Sequence, residues 1–377
     1  MALPQPVPER TRHPFLTYDM IQEIPDALEA TLENTRDEAK RIAAEAEDVD
    51  AITFIGSGTS FFAAQLGSQL LRLAEDPIRY QAFEAFEFLH YLRRVPPKTL
   101  VVGISHSGVT KATVDALGKA QGRDVLRVGI THFRDRPIAQ VVNHLVIAGN
   151  GPDRSKCHTK CYVTGALAST NVILELLRVW SGQLPDTARD VAEQISDLPA
   201  LARRVLREAD KACARWAEAY IDQDHHYFAG AGPNRVTALE AALKIKETSF
   251  LPAEGMETEE VGHGPWVSLD PKSLLVLIAP RGASHERSLD LARVAEIVGT
   301  PVLGVVSEGD EALAAHCDQV IEVPQTDEWL SPFLTILPLY LFAYYSSIGR
   351  GVNPDELRYL EPRYWQARQI VFPPETH

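Results

Sequence analysis

The chain has 377 residues, 45 % hydrophobic and 23 % charged, which is the composition of a globular protein long enough for two domains. Its formal net charge of −14 is spread along the chain. Such a surface repels polyanions, so we expect no nucleic-acid partner. Residues 1–12 are polar and proline-rich without the apolar segment of a signal peptide, and we expect a cytoplasmic protein that does not cross a membrane.

The cysteines favour a reducing compartment, because Cys157, Cys161, Cys213 and Cys317 show no disulfide-framework spacing. The segment from Cys157 to Cys161 resembles half of a metal site. A second cluster is missing, however, and the spacing is not that of a zinc ribbon. We therefore expect neither a metal nor a cofactor.

In chain order, residues 21–46 have a helical pattern, and four short apolar runs follow in the first half. Short, continuous apolar runs of this kind predict strands buried on both faces, as in a parallel α/β sheet with covering helices. The predicted strands are Ala51 to Ile55, Thr99 to Ile104, Leu126 to Ile130 and Leu145 to Ile147. A later apolar run, from Phe333 to Tyr345, is too short to span a bilayer and predicts a buried helix.

The second half repeats the layout of the first. The segment 54–58 returns as 228–232 and 104–108 returns as 278–282, at a shift of roughly 174 residues. We therefore predict two copies of an α/β domain, each a flavodoxin-like parallel sheet flanked by helices. The predicted divisions are an N-terminal helical extension (1–47), domain 1 (48–184), a helical connection (185–222), domain 2 (223–350) and a C-terminal tail (351–377).

Two loops of domain 1 carry glycines and hydroxyls directly after predicted strands. The first anion loop is 56–60 and the second is 105–110, which leads into a helix beginning near Lys111. Parallel strands end at one edge of a sheet, where helix N-termini offer N–H groups to an anion such as phosphate. We predict an anionic ligand there. In domain 2, Pro280 and Arg281 replace the polar residues of the second loop, so no second anion site is expected.

Two other interpretations of these loops remain open. The serines and threonines could be ordinary helix N-caps. Alternatively, Gly56 and Gly58 begin like a dinucleotide-binding fingerprint, with Glu84 or Glu87 as the ribose acid, although Phe61 stands where the third glycine belongs. Anion-binding chemistry at two adjacent strand ends favours the ligand interpretation over both.

A helix predicted from Asn234 to Phe250 carries Glu240, Lys244 and Glu247 on one face. Such a stripe is most often a solvated salt-bridge pattern. Here it precedes the turn at His263, which can present an imidazole. A carboxylate and an imidazole are the usual pair for moving a proton between C1 and C2 of an open sugar and for opening its ring.

Residues 238–247, with the later Ala-Glu at 253–254 and the His-Gly-Pro turn at 263–265, closely resemble the isomerase half of glutamine–fructose-6-phosphate aminotransferase. They are similar also to sugar-phosphate deglycases and deaminases of the sugar isomerase (SIS) family. Both anion loops resemble that family's phosphate loops, and Thr159-Lys160 matches a further pair. The resemblance extends from about Tyr18 to Asn353.

The resemblance implies a role for each matching residue. Ser60, Ser105, Ser107 and Thr110 would hold the anion, and His106 stands where the family usually has Gln. Glu247 would transfer the proton, Lys244 would orient it, and His263 would assist ring opening from the neighbouring subunit of a homodimer. The complete predicted binding set is Gly58, Thr59, Ser60, Ser105, His106, Ser107 and Thr110, with Glu247, His263 and Lys244 as catalytic residues.

Two departures from the synthase pattern shape the functional hypotheses. We expect no glutamine-hydrolysing domain, since the chain starts almost directly with the sugar-isomerase part. The synthase's tail lysine is also missing, because the last lysine of the chain is Lys272. These departures favour a deglycase or deaminase of a fructosamine- or glucosamine-type 6-phosphate. An aldose–ketose isomerase, possibly for another 6-anionic sugar, and a non-catalytic sugar-phosphate sensor remain alternatives.

Overall fold

A computed structural model describes Pro6 and residues 8–92, 94–122 and 124–373 of the protein, and it contains two five-stranded sheets. The strands of the first sheet are β1 (Ala51–Gly56), β2 (Arg79–Glu84), β3 (Thr99–Ile104), β4 (Val125–Thr131) and β5 (His144–Ile147). Those of the second are β6 (His225–Gly230), β7 (Ala253–Glu257), β8 (Ser273–Ala279), β9 (Val302–Ser307) and β10 (Gln319–Val323).

Both sheets are parallel and have the same topology. The first has the order β2-β1-β3-β4-β5, and the second reads β7-β6-β8-β9-β10 in the same direction. This is the flavodoxin-like order, as predicted. The register repeats as well, since Ala51 pairs with Thr99 and His225 with Ser273, both shifted by 174 residues. The duplication inferred from sequence is therefore present in the strand pairing itself.

The sequence prediction missed β2 and β7, the strands next to β1 and β6. Both are edge strands that pair on one side, and their side chains are partly exposed. A search for uninterrupted apolar runs finds strands whose side chains are mostly apolar. It overlooks partly exposed strands such as Arg-Tyr-Gln-Ala-Phe-Glu, in which polar residues interrupt the run.

Helices cover the faces of both sheets and connect them. They are α1 (Leu16–Gln22), α2 (Ile24–Glu45), α3 (Thr59–Gln69), α4 (Ala85–Tyr91), α5 (Lys111–Lys119), α6 (Lys160–Trp180), α7 (Arg189–Gln194), α8 (Leu198–Ala219), α9 (Asn234–Ser249), α10 (Thr258–Val261), α11 (His285–Val298), α12 (Glu311–Ala314), α13 (Pro332–Gly349) and α14 (Pro362–Val371). The connection between the two sheets is largely α8, and the predicted catalytic helix is α9. Phe250, which we placed inside that helix, instead ends it in a left-handed conformation with φ of +59°.

The apolar helix α13 lies inside the protein and packs against α8 and α9. It is longer than the predicted run, and its length and hydropathy would also suit a membrane span, but 83 % of it is buried within the fold. One large core contains side chains from both domains, including Phe54 of β1 and Phe228 of β6. The two domains thus share a core, and α9 lies against α3 of domain 1.

Candidate active site

Helix α9 places Glu240, Lys244 and Glu247 together at the boundary between the two domains. The Lys244 Nζ donates to Glu247 Oε2 at 2.7 Å and lies 3.3 Å from Glu240 Oε1. Glu240 and Lys244 are fully buried, whereas the Glu247 side chain is 27 % exposed. The predicted stripe is therefore not solvated. It is a buried ion-pair cluster with one accessible carboxylate.

Domain 1 contributes Thr59, the first residue of α3, to this cluster. Its hydroxyl accepts a hydrogen bond from Lys244 Nζ at 2.9 Å and donates to Glu240 Oε2 at 3.1 Å. Tyr340 of α13 donates to Glu240 Oε1 at 3.1 Å. These bonds connect the first anion loop directly to the predicted catalytic helix. Thr59, which we predicted to bind ligand, uses its hydroxyl to join the two domains.

Two opposing effects set the pKa values of Glu240 and Lys244. Burial disfavours the charged form of each group, and the nearby opposite charge favours it. Burial raises the pKa of Glu240 to about 7, although the neighbouring Lys244 ammonium works against this. Burial alone would lower the pKa of Lys244, but the carboxylates of Glu240 and Glu247 outweigh it and hold that pKa well above its usual value. Lys244 is therefore a fixed cation at neutral pH. It balances charge and orients Glu247.

Glu247 is held at one oxygen and open at the other. Its Oε2 accepts from Lys244 and also from the Cys157 thiol, whose sulfur lies 3.4 Å away. Burial raises the pKa of Cys157 well above its usual value, so the thiol keeps its proton and acts as a donor. Within the described residues no hydrogen bond engages Oε1. That oxygen is free to take a proton from a ligand.

The first anion loop turns into α3 through Gly58, which has φ of +54°. This conformation suits glycine, and the residue is the N-cap of α3. No side chain caps the helix. Ser60 in its first turn is half-buried, and its N–H donates to the Ser57 carbonyl at 3.1 Å. The N-terminus of α3 is therefore not closed by the hydroxyls that follow it.

The second anion loop is tightly ordered by its own side chains. The Ser105 hydroxyl donates to Thr110 Oγ1 at 3.1 Å and accepts from the Gly108 N–H at 3.1 Å. Thr110 is the N-cap of α5, yet its side chain makes no capping bond. Ser107 and Thr110 remain partly exposed. The simple capping interpretation therefore fails at both loops, and both helix N-termini keep N–H groups that an anion can use.

A group of three histidines lies beside the second loop, and we call His106, His132 and His158 the imidazole cluster. His106 Nδ1 and His132 Nδ1 are 2.9 Å apart, and the ring centroids of His106 and His158 are 4.8 Å apart. Burial, followed by the charge of His158, lowers the pKa of His106 to about 4. Burial also lowers the pKa of His132. Both rings are consequently neutral at pH 7 in the absence of a ligand.

Asp153 fixes the segment that carries Cys157 and His158. Its Oδ1 accepts from the Ser155 N–H, and its Oδ2 accepts from the N–H groups of Thr159 and Lys160 at 2.8 and 3.0 Å. The Ser155 hydroxyl lies 2.9 Å from both Asp153 Oδ1 and the Cys157 carbonyl oxygen. Asp153, His158 and Cys161 also place possible metal-ligand atoms within 4.8 Å of one another. Three backbone N–H groups of the loop donate to this carboxylate, so we assign it to the structure of the loop.

His263 lies apart from the other predicted catalytic residues. Its side chain is 65 % exposed, and its Nε2 is 3.1 Å from Glu259 Oε1. Glu259 is in turn paired with Arg287. Within the described part of the chain, no hydrogen bond or ion pair connects His263 to Glu240, Lys244 or Glu247. A single chain therefore assembles the carboxylate and the lysine but does not bring the imidazole to them.

Sequence reasoning missed several groups that the fold places in this site. Glu240 was visible as part of the stripe on α9 but was not counted as a site residue. Cys157 and His158 lie in the segment that resembled half of a metal site, and their real neighbours are Glu247 and His106. Nothing in the local sequence pointed to His132, because its contacts are with residues distant in the chain.

Comparison with known proteins finds relatives over most of the chain. The glutamine–fructose-6-phosphate aminotransferase of Thermococcus kodakarensis is 29 % identical over 355 residues, which is 93 % of this chain and 58 % of the relative. This chain thus spans little more than half the length of that protein. The matched region covers both anion loops and α9.

Two solved structures have the same fold. The C-terminal domain of glucosamine-fructose-6-phosphate aminotransferase from Francisella tularensis superposes with a TM-score of 0.81 at 21 % identity, covering 91 % of this chain and 98 % of that one. Glucosamine-6-phosphate deaminase from Thermotoga maritima gives 0.75 at 23 % identity, covering 92 % and 98 %.

The family model of the SIS domain matches two segments, residues 47–170 and 219–349. Each segment contains one of the two parallel sheets. The resemblance inferred from the loops and the helix motif is thereby confirmed. The chain belongs to the SIS domain family and carries two SIS domains in tandem.

Proposed function

We propose that this protein is an enzyme that binds a 6-phosphosugar and moves a proton between C1 and C2 of its open-chain form. The main supporting observation is Glu247, whose Oε2 is fixed by Lys244 and Cys157 while no hydrogen bond among the described residues engages Oε1. Lys244 also bonds Thr59 of the first anion loop. A carboxylate held in this way is suited to general acid–base catalysis. The names of the similar proteins, which act on sugar phosphates, are consistent with this assignment.

In the proposed reaction the anion loops hold the phosphate and Glu247 Oε1 removes a proton from C1 or C2. The same carboxyl returns the proton to the other carbon. Lys244 keeps its charge throughout and stabilises the Glu247 carboxylate before the first step and after the second. Its own pairing with Glu240 and Glu247 makes it a poor nucleophile, so we assign it no covalent role.

The finer assignment is release of an amine from a fructosamine- or glucosamine-type 6-phosphate. Proton transfer between the two carbons converts the carbon–nitrogen single bond of such a substrate into an imine. Water adds to the imine carbon, the carbon–nitrogen bond breaks, and the amine leaves with a proton. Residues 273–377 contain no lysine, so none of them can form the Schiff base of a synthase. A plain aldose–ketose isomerase remains the second candidate, because the same carboxylate would serve it.

We further propose that the protein works in the cytoplasm as a homodimer with a shared site. The exposed position of His263 supports this view, because the residue is free to reach the Glu247 of a second copy. Its partner in this chain, Glu259, is itself exposed. In this arrangement the imidazole would open the sugar ring, and the carboxylate of the other subunit would transfer the proton.

The test of the proposed function is the substitution Glu247→Gln. Turnover should fall by about 10²–10⁴-fold, the usual contribution of a general acid–base group, while the affinity for the sugar phosphate changes little. Proton NMR in deuterated water, with fructose, glucose, glucosamine and fructosamine 6-phosphates, measures both exchange at C1/C2 and amine release. Exchange with amine release indicates a deaminase or deglycase, and exchange without release indicates an isomerase.

The matched control is Glu29→Gln on the exposed face of α2, which should keep wild-type activity. Most of the activity surviving in Glu247→Gln would show that another group is the base. Tight binding of the wild type to one of these sugars without any exchange would instead support a sugar-phosphate sensor.

A further inference from the structure

Domain 2 contains loops that are equivalent to both anion loops of domain 1. Gly232 and Gly282 correspond to Gly58 and Gly108 at the shift of 174 residues that also relates the strand pairing of the two sheets. These loops lead into α9 and α11, and no side chain caps either helix. The duplication therefore creates a second position for an anion between the two loops, at the carboxyl ends of β6 and β8.

The carboxylate of Glu328 lies at that position. A Cβ added to Gly282 would lie 2.5 Å from Glu328 Oε1 and 2.9 Å from its Oε2, and a Cβ added to Gly232 would lie 3.6 Å from Oε1. One carboxylate thus contacts both loops. In domain 1 the space at the equivalent first loop is open, since a Cβ on Gly58 would have no described atom within 4 Å beyond its chain neighbours.

Glu328 is held in place through its backbone. It lies in the segment 324–331, between β10 and α13. The Ser331 hydroxyl donates to the Glu328 carbonyl oxygen at 2.7 Å and accepts at 2.8 Å from Nδ2 of Asn234, the first residue of α9. Among the described residues, no hydrogen bond or ion pair engages the carboxylate itself. It is therefore kept between the two loops by the anchored backbone and not by a counter-charge.

The groups around this carboxylate would otherwise suit a bound anion. Arg281 is the neighbour of Gly282 in the chain, and its guanidinium donates to the Gly309 carbonyl oxygen at 3.1 Å. It makes no ion pair within the part of the chain that the structure describes. The N-termini of α9 and α11 add partial positive charge. Glu328 opposes an external anion in two ways, because it fills the space between the loops and carries the same sign of charge.

We propose that domain 2 retains a second anion-binding position and that Glu328 keeps it closed, its carboxylate taking the place of a phosphate. The native chain then binds one phosphosugar, in domain 1, although the fold is present twice. This inference goes beyond the proposed function, because it concerns the domain in which no anion site was expected from the sequence. It also explains why residue 282 is glycine, since any side chain there would collide with the carboxylate.

The test is the substitution Glu328→Ala, which removes the carboxylate and leaves the backbone bonds of the segment in place. Equilibrium dialysis with radiolabelled inorganic phosphate at neutral pH should count one site in each wild-type chain and two in each Glu328→Ala chain. Phosphate should also raise the melting temperature of Glu328→Ala more than that of the wild type, because a ligand that binds the native state stabilises it. Glu328→Ser repeats both measurements with a second small side chain.

Two further variants locate the new site. Glu286→Ala is the matched control, because it removes an exposed carboxylate from the first turn of α11, and it should keep one site. In the double variant Glu328→Ala/Arg281→Gln the second site should bind phosphate at least about tenfold more weakly, since the charged hydrogen bonds of the guanidinium are lost. Melting temperatures without phosphate verify that each variant folds.

A single site in folded Glu328→Ala and Glu328→Ser would overturn this inference. Two sites in the wild type would also overturn it, because the carboxylate would then not close the second. A second site that binds equally well in the double variant would lie elsewhere, with the same consequence. No site in the wild type, together with one in Glu328→Ala, would instead refute the proposed phosphate site of domain 1 and leave this inference intact.

Discussion

Lys244 is the residue on which the charge balance of the site depends. It lies between Glu240, which is fully buried, and Glu247, which is partly open, and it also donates to Thr59 across the domain boundary. Losing the ammonium would leave Glu240 as a buried group without its counter-charge. Loss of one partner from a buried ion pair costs far more free energy than loss of an exposed one.

We therefore expect Lys244→Met to lower the free energy of unfolding by about 3–5 kcal/mol. Activity should be lost as well, since Glu247 loses its strongest contact. Urea unfolding followed by tryptophan fluorescence measures the stability. The double variant Glu240→Gln/Lys244→Met should recover part of the loss, because the uncompensated carboxylate is gone. A change of less than about 1 kcal/mol in Lys244→Met would show that the cluster is better solvated than its burial indicates.

At the scale of elements, the turn from the first strand of each domain into its first helix is built in the same way twice. A Cβ on Gly56 would lie 2.6 Å from the Ser60 carbonyl oxygen, and one on Gly230 would lie 2.4 Å from that of Asn234. Gly58 and Gly232 then have φ of +54° and +53°. Both copies therefore need glycine for the same steric reason, although only domain 1 uses the turn as a predicted anion loop.

Gly56→Ala should consequently force α3 away from β1 and destabilise the protein by about 2 kcal/mol or more. The matched control is Gly118→Ala in the last turn of α5, where a Cβ would have its nearest neighbour 3.9 Å away. That substitution should be neutral or stabilising by up to about 1 kcal/mol, because alanine favours helix. Chemical denaturation of the two variants gives both values. Equal effects would mean that the turn at Gly56 adapts freely.

At the scale of the whole molecule, the shared core contains a histidine whose ring has no hydrogen-bond partner among the described residues. His226 is 1 % exposed, stacks on Phe342, and has both ring nitrogens unpaired. Burial, followed by the charges of His225 and Arg350, lowers its pKa to about 4. The native protein therefore keeps this ring neutral under conditions in which the unfolded chain protonates it.

The stability of the protein should fall as the solution is acidified from about pH 6.5 to 4. Over that range the unfolded chain binds a proton at His226 and the native protein does not, at a cost of about 3 kcal/mol. His226→Leu should flatten this part of the profile, whereas the same change at the exposed His90 should leave it unchanged. Urea titrations across the range provide the comparison. An equally steep profile in His226→Leu would assign the acid sensitivity to other groups.

A shared active site makes a separate prediction about the assembly. Glu247→Gln and His263→Ala proteins, each inactive alone, should regain up to about a quarter of wild-type activity when unfolded and refolded as an equal mixture. The reason is that half of the dimers formed would be mixed and each would contain one intact site of two. No recovery, with mixed dimers verified by differently tagged subunits, would place both residues in one subunit.

The sequence by itself determined the two-domain parallel architecture and the main groups of the candidate site. Apolar runs define the central strands because these are buried on both faces, and the i, i+4, i+7 spacing of Glu240, Lys244 and Glu247 defines a helix face wherever that helix packs. The same local rules predicted the two anion loops, since each follows a predicted strand. Strands β2 and β7 were missed because they are partly exposed and contain polar residues, which interrupt the apolar run.

Tertiary structure decided what those groups do to one another. Three contacts in the site join residues that are 26 to 185 positions apart in the chain. They are Thr59 with Lys244, Cys157 with Glu247, and His106 with His132. Local sequence patterns cannot predict contacts between residues so far apart, because burial and charge pairing arise only when separate elements pack together. The same packing makes Lys244 a permanent cation and leaves the His106–His132 pair neutral.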